Sequence, residues 1–343
     1  MARGFSLLTY AITRLLLALP MLLILLTILF IVLRVLPGDP VLALWGGRPP
    51  SQSIIDDARR GLGLDRPIWE QYWNYISGVF RGDLGTSIGI QYRGNPVWGE
   101  IAERLPATIE IAVGSMIVAS FVGIVTGVIA GARRDTWVDV TIRLWGTVIW
   151  VIPIFWLGLI FQLIFSIWLG WLPPHGRWSG SDFPAPATGM YAIDSIIEGN
   201  LDHLVKALRH LLLPSLTLGL VLSGFFTKTV RANMLQTVRA DYSDAARARG
   251  VSERQVVFRH AFRNALVPVV TVLGLQFAIL FAGAVLTERT FSIEGIGTLL
   301  LQSITSKDMT MIQGVVVVYA AIIVVISLVV DIIGAMIDPR IRL

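Results

Sequence analysis

The side chains with the clearest potential chemistry lie in a short charged segment, residues 241–254. It begins with two acidic residues, continues through alanines and arginines, and contains a glycine six positions after the second acid. The candidate residues are Asp241, Tyr242, Asp244, Ala245, Ala246, Arg247, Arg249, Gly250, Ser252 and Arg254. Charged and small side chains of this kind form ion pairs and docking contacts with a partner.

The spacing within this segment predicts a short helix, a turn and a second helix. Asp241 and Asp244 lie where the positive end of a helix dipole favours acidic side chains. Gly250 can end the first helix at a positive φ. Ser252, with Gln255 three residues later, can cap the helix that follows.

The same segment predicts a surface for another molecule. Ala245, Ala246 and Ala248 form a thin surface that could enter a groove. Arg247 and Arg249 are expected to project charge for ion pairs with a partner or with anionic lipid. A solvated basic loop without a partner is the alternative interpretation.

Other kinds of chemistry are missing from the sequence. None of the three lysines follows a Gly-x-x-x-x-Gly run, so there is no phosphate-binding P-loop. If the protein moves a solute with ATP, another chain must hydrolyse it. The four histidines have no metal-binding spacing, and no serine-hydrolase or zinc-protease motif occurs. The absence of cysteine excludes disulfides and cysteine metal sites. We therefore expect a non-catalytic chain with no cofactor of its own.

The elements that flank the charged segment are apolar and long. The chain is 55% hydrophobic and 15% charged, with a mean hydropathy of +0.71, and about 20 apolar residues cross a bilayer core. Six stretches are long enough, namely Leu8–Leu33, Ala107–Gly131, Val140–Leu169, Leu211–Ala232, Leu266–Thr287 and Gln313–Met336. The predicted fold class is an all-α polytopic membrane protein with six transmembrane helices. The first lacks a cleavage site and is expected to stay as an anchor, and Pro153 is expected to kink the third.

The distribution of basic residues predicts the orientation. Short loops retain positive charge on the cytoplasmic side, which predicts that both termini lie in the cytoplasm. The residues used are Arg3, Arg14, Arg133, Arg134, Arg143, Lys228, Arg231, Arg239, Arg247, Arg249, Arg254, Arg259, Arg263, Arg340 and Arg342. Because they flank membrane spans rather than form a free patch, we expect no nucleic-acid partner.

The polar residues of the spans argue against an ion-coupled carrier. Such carriers place ionisable groups near the membrane midplane, whereas Glu110 and Asp331 lie near predicted span ends, where they can reach water or a head-group. His210, at the outer end of the fourth span, is expected to be an interface residue. A standalone channel or secondary carrier remains the alternative from another class.

Two further patterns leave alternatives open. The aromatic segment Asp65–Phe80 in the first outer loop predicts an amphipathic helix, either a structural lid or a docking surface for an outside partner. Small residues recur every four positions at Gly123, Gly127 and Gly131, and at Gly274, Ala278 and Ala282. They predict close helix packing, within one subunit or against a second one.

Nearly the whole chain resembles one family, through motifs that are weak singly and specific together. They are residues 34–40, 62–67, 71–72, 82–87, 104–108, 153–156, 210–216, 241–242 and 338–340, with Asp244-Ala245-Ala246 and Gly250 in the charged segment. The chain is similar to the first of the two permease subunits of ATP-binding-cassette (ABC) importers for dipeptides, oligopeptides and nickel. It departs from the pattern at Asp244, where the family has glutamate, at residues 260–263, which lack the family's Ile-x-Leu-Pro, and at residues 292–297, which lack a proline.

The resemblance implies a type I importer fold, a multi-pass position in the inner or plasma membrane of a prokaryotic cell, and a set of partners. These are a second permease subunit, two ATPase subunits that bind ATP and Mg, an extracytoplasmic solute-binding protein and membrane lipid. It implies an N-terminal helix at 1–36, an outer loop or lid at 37–105, and a five-helix core at 106–343 with a coupling loop at 233–263. Di- or oligopeptides are the expected solutes, with nickel chelates, opines and oligosaccharides as alternatives.

Overall fold

The computed structural model describes residues 7–34, 51–61, 63–89 and 91–337. Helices dominate this part of the chain, whose β-type pairing is one isolated bridge between Thr86 and Pro96. The predicted all-α class is therefore confirmed. Several sequence features lie outside the described residues, namely Arg3, the motif at 34–40 beyond Arg34, Leu62, the motif at 338–340 and Arg342.

The described helices are joined by short turns and by longer loops. In chain order they are α1 (Leu7–Arg34), α2 (Gln52–Gly61), α3 (Ile68–Arg81), α4 (Val97–Ala132), α5 (Trp137–Val151), α6 (Ile154–Phe161), α7 (Tyr191–Glu198), α8 (Leu201–Val238), α9 (Asp241–Ala248), α10 (Phe262–Thr290), α11 (Ile296–Thr305) and α12 (Met309–Ile337). A π-helical turn, Gln162–Trp168, extends α6, and another, Val256–Ala261, leads into α10.

Four helices of the described part are long and apolar enough to cross a membrane. They are Ile12–Arg34, Val97–Ala132, Leu201–Val238 and Met309–Ile333. The pair formed by Trp137–Val151 and Ile154–Trp168 would make a fifth if it were one span. The remaining predicted span, Leu266–Thr287, falls within α10.

The predicted third span is broken rather than kinked. Its two halves meet at an angle of 101°. The cause is Pro153, because a residue that precedes proline is driven out of the helical region. Ile152 accordingly takes extended angles, with φ −64° and ψ 128°, and Pro153 begins the next helix.

Two helices start about ten residues before their predicted spans. Helix α4 begins at Val97 and α8 at Leu201, so their 36 and 38 residues extend about 54 and 57 Å. Charged residues in the first turns lowered the apolar signal without ending the helix. The side chain of Asn200 caps α8 by accepting from the amides of Asp202 and His203.

The chain divides into two compact units, each with its own core. One consists mainly of Pro106–Glu294, and its buried side chains include Leu213, Phe226, Met234 and Leu280. The other consists of Ile12–Leu105 and Gly295–Val325. Its cores are formed by Leu26, Ile76 and Val317, and by Val97, Ile101, Ile296, Leu299, Met311, Val315 and Val318.

The glycines of α4 pack against α8 of the same chain. A methyl group added at Gly127 would lie 2.6 Å from Cβ of Val230, and one added at Gly131 would lie 2.5 Å from Cβ of Met234. Gly123 likewise faces Phe226. These small residues therefore pack helices within one subunit, as the first of the two alternatives predicted.

Candidate functional site

The charged segment begins where α8 ends. Ala240 takes an extended conformation, with φ −75° and ψ 150°, and separates α8 from α9. Helix α9 runs over Asp241–Ala248 and carries Asp241 and Asp244 in its first turn, as the spacing predicted. The amide of Ala240 donates to the carbonyl of Thr237 at 3.3 Å across the junction with α8, and the amide of Ser243 donates to the carbonyl of Ala240 at 2.8 Å in the first turn of α9.

Gly250 ends α9 in the predicted way. Its φ is +79°, the left-handed region that favours glycine. Its amide donates to the carbonyl of Arg247 at 2.9 Å, and the amide of Val251 donates to that of Ala246 at 3.2 Å. This pair of hydrogen bonds is the Schellman arrangement of a helix C-terminus.

Ser252 does not cap the next helix with its side chain, contrary to the prediction. It occupies the N-cap position with φ −61° and ψ 145°, but its hydroxyl makes no capping hydrogen bond. The residue is exposed, so water can solvate the hydroxyl in place of a backbone amide. The chain continues through Glu253–Gln255 and the π-helical turn into α10.

Arg247 is the central side chain of the segment, and its role differs from the prediction. Its Nε and Nη2 donate to the two carboxylate oxygens of Glu253, each at 2.9 Å. Its Nη1 donates to Asp244 at 2.7 Å and to the carbonyl of Val238, at the end of α8, at 3.1 Å. The guanidinium is therefore used within the chain, because both of its acidic partners lie within six residues.

The ion pair changes the acidity of both groups. Hydrogen bonding to Glu253 raises the pKa of Arg247 above its usual value, with Asp244 adding to the effect. Hydrogen bonding to Arg247 holds the pKa of Glu253 below its usual value of 4.5. Both groups are therefore charged at neutral pH, and the network is intact there.

The alanines of α9 divide between two faces. Ala246 is 1% exposed and Ser243 is fully buried, whereas Ala245 and Ala248 are exposed. Positions three apart share one face of a helix, and the hydroxyl of Ser243 donates to the carbonyl of Thr237 at 2.8 Å. Ala246 therefore packs inwards and does not contribute to the predicted thin surface, which is a correction.

The outward face of the segment is polar with small residues between the charges. Tyr242 is 41% exposed, and Arg249 is exposed with its Nε donating to the carbonyl of Ala245 at 3.2 Å. The exposed residues of α9 are Asp241, Tyr242, Asp244, Ala245 and Ala248, and Arg249, directly after the helix, is also exposed. Arg254 is also exposed, and Phe258 is 54% exposed.

Sequence reasoning missed a buried ion pair near this segment. Arg231 on α8 donates to both carboxylate oxygens of Asp139 on α5, at 2.6 and 2.7 Å. Asp139 is fully buried. Asp139 lies one residue before a predicted span, and the basic residue that the sequence places near it is Arg143, four positions later, at 3.6 Å. The sequence gave no signal for the closer partner, because Arg231 lies 92 residues away.

Two polar residues of the spans are more buried than predicted. The Glu110 carboxylate, 10% exposed, accepts from Arg177 at 2.7 Å and from the amide of Ala192 at 2.8 Å. His210 is 6% exposed, and its ring nitrogens lie 2.9 Å from the carbonyl of Gly176 and 3.2 Å from the Ser179 hydroxyl. The folded loop after α6 covers both side chains. The expectation that His210 is an interface residue is therefore wrong, and Glu110 is paired within the chain instead of reaching water or a head-group.

The aromatic outer helix is α3, close to its predicted range. Trp69 and Trp73 are 70% and 67% exposed. Tyr72 stacks edge-on against Phe30 of α1, with ring centroids 5.3 Å apart, and Tyr75 lies parallel to the same ring at 5.9 Å. One face of α3 is thus packed and the other open. Across the described ranges, no three acidic or histidine side chains converge to hold a metal ion.

Comparisons with known proteins identify the family. Residues 123–343 match the family model "Binding-protein-dependent transport system inner membrane component", and residues 7–112 match the N-terminal model of the same transport systems. The chain is 38% identical to the dipeptide transport system permease of Alkalihalophilus pseudofirmus, over 98% of this chain and all of that protein. It is 37% identical to the di/tripeptide permease of Pseudomonas aeruginosa and 36% identical to the glutathione permease of Escherichia coli, each over 98% of this chain and 99% of the relative. The chain therefore belongs to the family of binding-protein-dependent transport system inner membrane components, the multi-pass permeases of ABC importers.

Proposed function

We propose that this permease carries di- or oligopeptides across the membrane. The similar proteins are named for dipeptide, di/tripeptide and glutathione transport, and each matches over nearly its full length. Nickel chelates, opines and oligosaccharides are the alternative solutes within the same class. The identity of about 37% across the whole chain favours an importer permease over a standalone channel or carrier.

We propose six membrane spans with both termini in the cytoplasm. Besides the four long helices, the broken pair α5–α6 and the helix α10 would each cross once. The uncharged run from Asn264 to Thr287 within α10 is long enough for a bilayer core of about 30 Å. The division into a helix at 1–36, a lid at 37–105 and a core at 106–343 belongs to this proposal.

The coupling element in this proposal is α9 with the turn that follows it. The observation that carries it is the contrast between the two faces of α9, with Ser243 and Ala246 buried and Ala245 and Ala248 exposed. Arg247 joins the end of α8, α9 and the turn before α10 through hydrogen bonds. A force on α9 would therefore move both α8 and α10, as a rigid two-state element requires.

The partners follow from this assignment. One ATPase subunit would hold α9 in a groove, and its closure on ATP and Mg would open the permease pair outwards. A second permease would complete the path, and an extracytoplasmic solute-binding protein would deliver the solute. This chain supplies no catalytic group in the proposal; the nucleotide and the metal bind to the ATPase partners.

Cross-linking in the assembled transporter tests the coupling role. The chain has no cysteine, so a single cysteine at Ala245 reports on α9 alone. Ala245→Cys is expected to cross-link to an ATPase subunit, whereas Ala246→Cys, which faces inwards, should not. Equal reaction at both positions, or none at Ala245→Cys in an actively transporting complex, would contradict the proposal.

Uptake measurements test the solute separately. The complete complex in proteoliposomes, with its binding protein outside and ATP inside, is expected to import a labelled dipeptide. Import of a nickel chelate or an oligosaccharide in place of the peptide would keep the coupling role and change the solute. Transport by this chain alone, without ATPase subunits, would establish the carrier or channel alternative.

A further inference from the structure

A cavity of about 360 Å³ lies within the compact unit that contains α1 and α3. The end of α1, the turn after α2, α3 and the first turns of α12 surround it. Its volume falls within the range of small-ligand pockets, about 300–1,000 Å³. The lining side chains that matter here are Arg34, Arg60, Arg66, Tyr75, Asp83 and Gln313.

Two buried donors at this cavity have no partner. Gln313 is 6% exposed, and neither its Nε2 nor the hydroxyl of Tyr75 finds a hydrogen-bond partner anywhere in the described part of the chain. Burial raises the pKa of Tyr75 above its usual value, so the hydroxyl keeps its proton and can donate. Buried donors are costly when unpaired, so an occupant that accepts hydrogen bonds would stabilise both.

The charge of the lining favours an anionic acceptor. The cavity is lined by the guanidinium groups of Arg34, Arg60 and Arg66 and by one carboxylate, that of Asp83. This carboxylate already accepts a hydrogen bond from the amide of Gly85 at 2.9 Å. Arg34 donates to Gln71 at 2.9 Å and Arg66 donates to Glu70 at 2.9 Å, so each has further N–H groups available in its fork. Arginine forks match the oxygens of phosphate and carboxylate groups.

The position of the cavity indicates where such an anion would come from. Arg34 is the last residue of the span Ile12–Arg34, and only 11% of an 18-residue window of this span is buried, so most of its apolar side chains are uncovered and available to lipid. Trp69 and Trp73 on α3 are largely exposed, and tryptophan is typical of the membrane–water interface. Arg66 is 54% exposed, which shows that the cavity reaches the surface.

We propose that this cavity binds the phosphate of an anionic phospholipid headgroup at the leaflet where α1 ends. The phosphate oxygens would accept from Arg34, Arg66, Tyr75 and Gln313. The acyl chains would lie along the exposed apolar side chains of α1, which include Ile28, Ile31 and Val32. This site is independent of the coupling segment and of the solute.

Native mass spectrometry of the purified, assembled transporter tests the site. The complex is titrated with short-chain phosphatidylglycerol, with phosphatidylcholine and with inorganic phosphate, and the ligands retained on the intact assembly are counted. We expect one phosphatidylglycerol to be retained in preference to phosphatidylcholine. Arg66→Gln should weaken its retention about tenfold, the typical effect of losing one charge-assisted hydrogen bond, and Arg34→Gln should do the same.

Arg81→Gln is the matched control, because Arg81 is an exposed arginine of α3 that does not line the cavity. It should leave retention unchanged. If the complex with Arg34→Gln failed to assemble, retention of phosphatidylglycerol by the Arg66→Gln complex would still test the proposal, because Arg66 is exposed. Equal loss in the control, equal retention of the two lipids, or displacement of the lipid by an equal concentration of inorganic phosphate would overturn the proposal.

Discussion

Arg247 and Glu253 form a two-point ion pair across the turn at Gly250, with both nitrogen–oxygen distances at 2.9 Å. The same guanidinium contacts Asp244 and the carbonyl of Val238. One side chain thereby fixes the direction in which α9 leaves α8 and the direction in which the chain returns towards α10. The turn itself has little core of its own, so this network determines its rigidity.

Loss of Arg247 should loosen the turn and weaken coupling. Arg247→Ala removes four hydrogen bonds at once, and we expect solute-stimulated ATP hydrolysis to fall several-fold while the complex still assembles. An exposed ion pair contributes only about 0–1 kcal/mol, so the fold should survive. Arg134→Ala is the control, since Arg134 lies outside the charged segment and forms its ion pair, at 2.9 Å, with the adjacent Asp135. The measurement is ATPase activity with and without loaded binding protein; equal effects of the two variants would contradict the assignment.

Gly250 should tolerate asparagine far better than valine. At φ +79° a β-branched residue is strained, at about 1–3 kcal/mol, whereas asparagine enters this region more readily. No atom lies within 4 Å of an added Cβ, so the cost of a substitution comes from the backbone conformation and not from a steric clash. Gly250→Val should lower uptake and ATP hydrolysis together, with normal membrane insertion. Uptake assays in which the valine and asparagine variants behaved alike would argue against a role for this conformation.

The helix pattern was predictable from sequence because it depends on local spacing. The apolar runs located α1 and α12 to within a few residues, and the acids, alanines and glycine of the charged segment located α9. The break at Pro153 was underestimated, since sequence shows the proline but not whether neighbouring helices restore a straight path. The early starts of α4 and α8 were missed, because their first turns are amphipathic.

The contacts between distant residues could not be predicted in the same way. Asp139 and Arg231 are 92 positions apart, and only the packing of α5 on α8 brings them together. The inward orientation of Ala246 likewise depends on where α8 ends. Arg247 was expected to face a partner because its intramolecular acceptors, the Val238 carbonyl and Glu253, meet only after the chain has turned.

The turn should loosen at acidic pH. Because the pKa of Glu253 is lowered in the folded protein, its ion pair contributes fully above the usual value of 4.5 and is lost as the pH falls through the lower folded value. Arg247 stays protonated throughout. Hydrogen exchange of amides 241–255, corrected for the intrinsic rate at each pH, should therefore accelerate on acidification below that value. Glu253→Gln should exchange fast at every pH; a wild-type-like transition in that variant would assign the effect to another group.

The contact between α4 and α8 should not accept a side chain at Gly127. An added Cβ would lie 2.6 Å from Val230, and overpacking of this kind costs about 1–3 kcal/mol or more. We expect Gly127→Val to lower the melting temperature of the purified chain in detergent. Gly99→Ala, on the same helix with no atom within 4 Å, is the control and should change little. Similar melting temperatures for both variants would show that the helices can separate without penalty.

The buried pair between Asp139 and Arg231 should be the most sensitive position in this region. Removing one partner of a buried ion pair typically costs about 3–5 kcal/mol, because the other charge stays desolvated. Asp139→Leu should therefore strongly destabilise the chain, and Asp139→Leu with Arg231→Met should recover much of the loss. Arg143→Gln serves as the control, since Arg143 is 49% exposed and 3.6 Å from the same carboxylate, and a pair of that kind contributes about 1 kcal/mol at most. Thermal unfolding of the wild type, of each single variant (Asp139→Leu and Arg231→Met) and of the double variant gives the coupling energy of the pair. A double variant no more stable than Asp139→Leu would show that the pair does not hold α5 to α8.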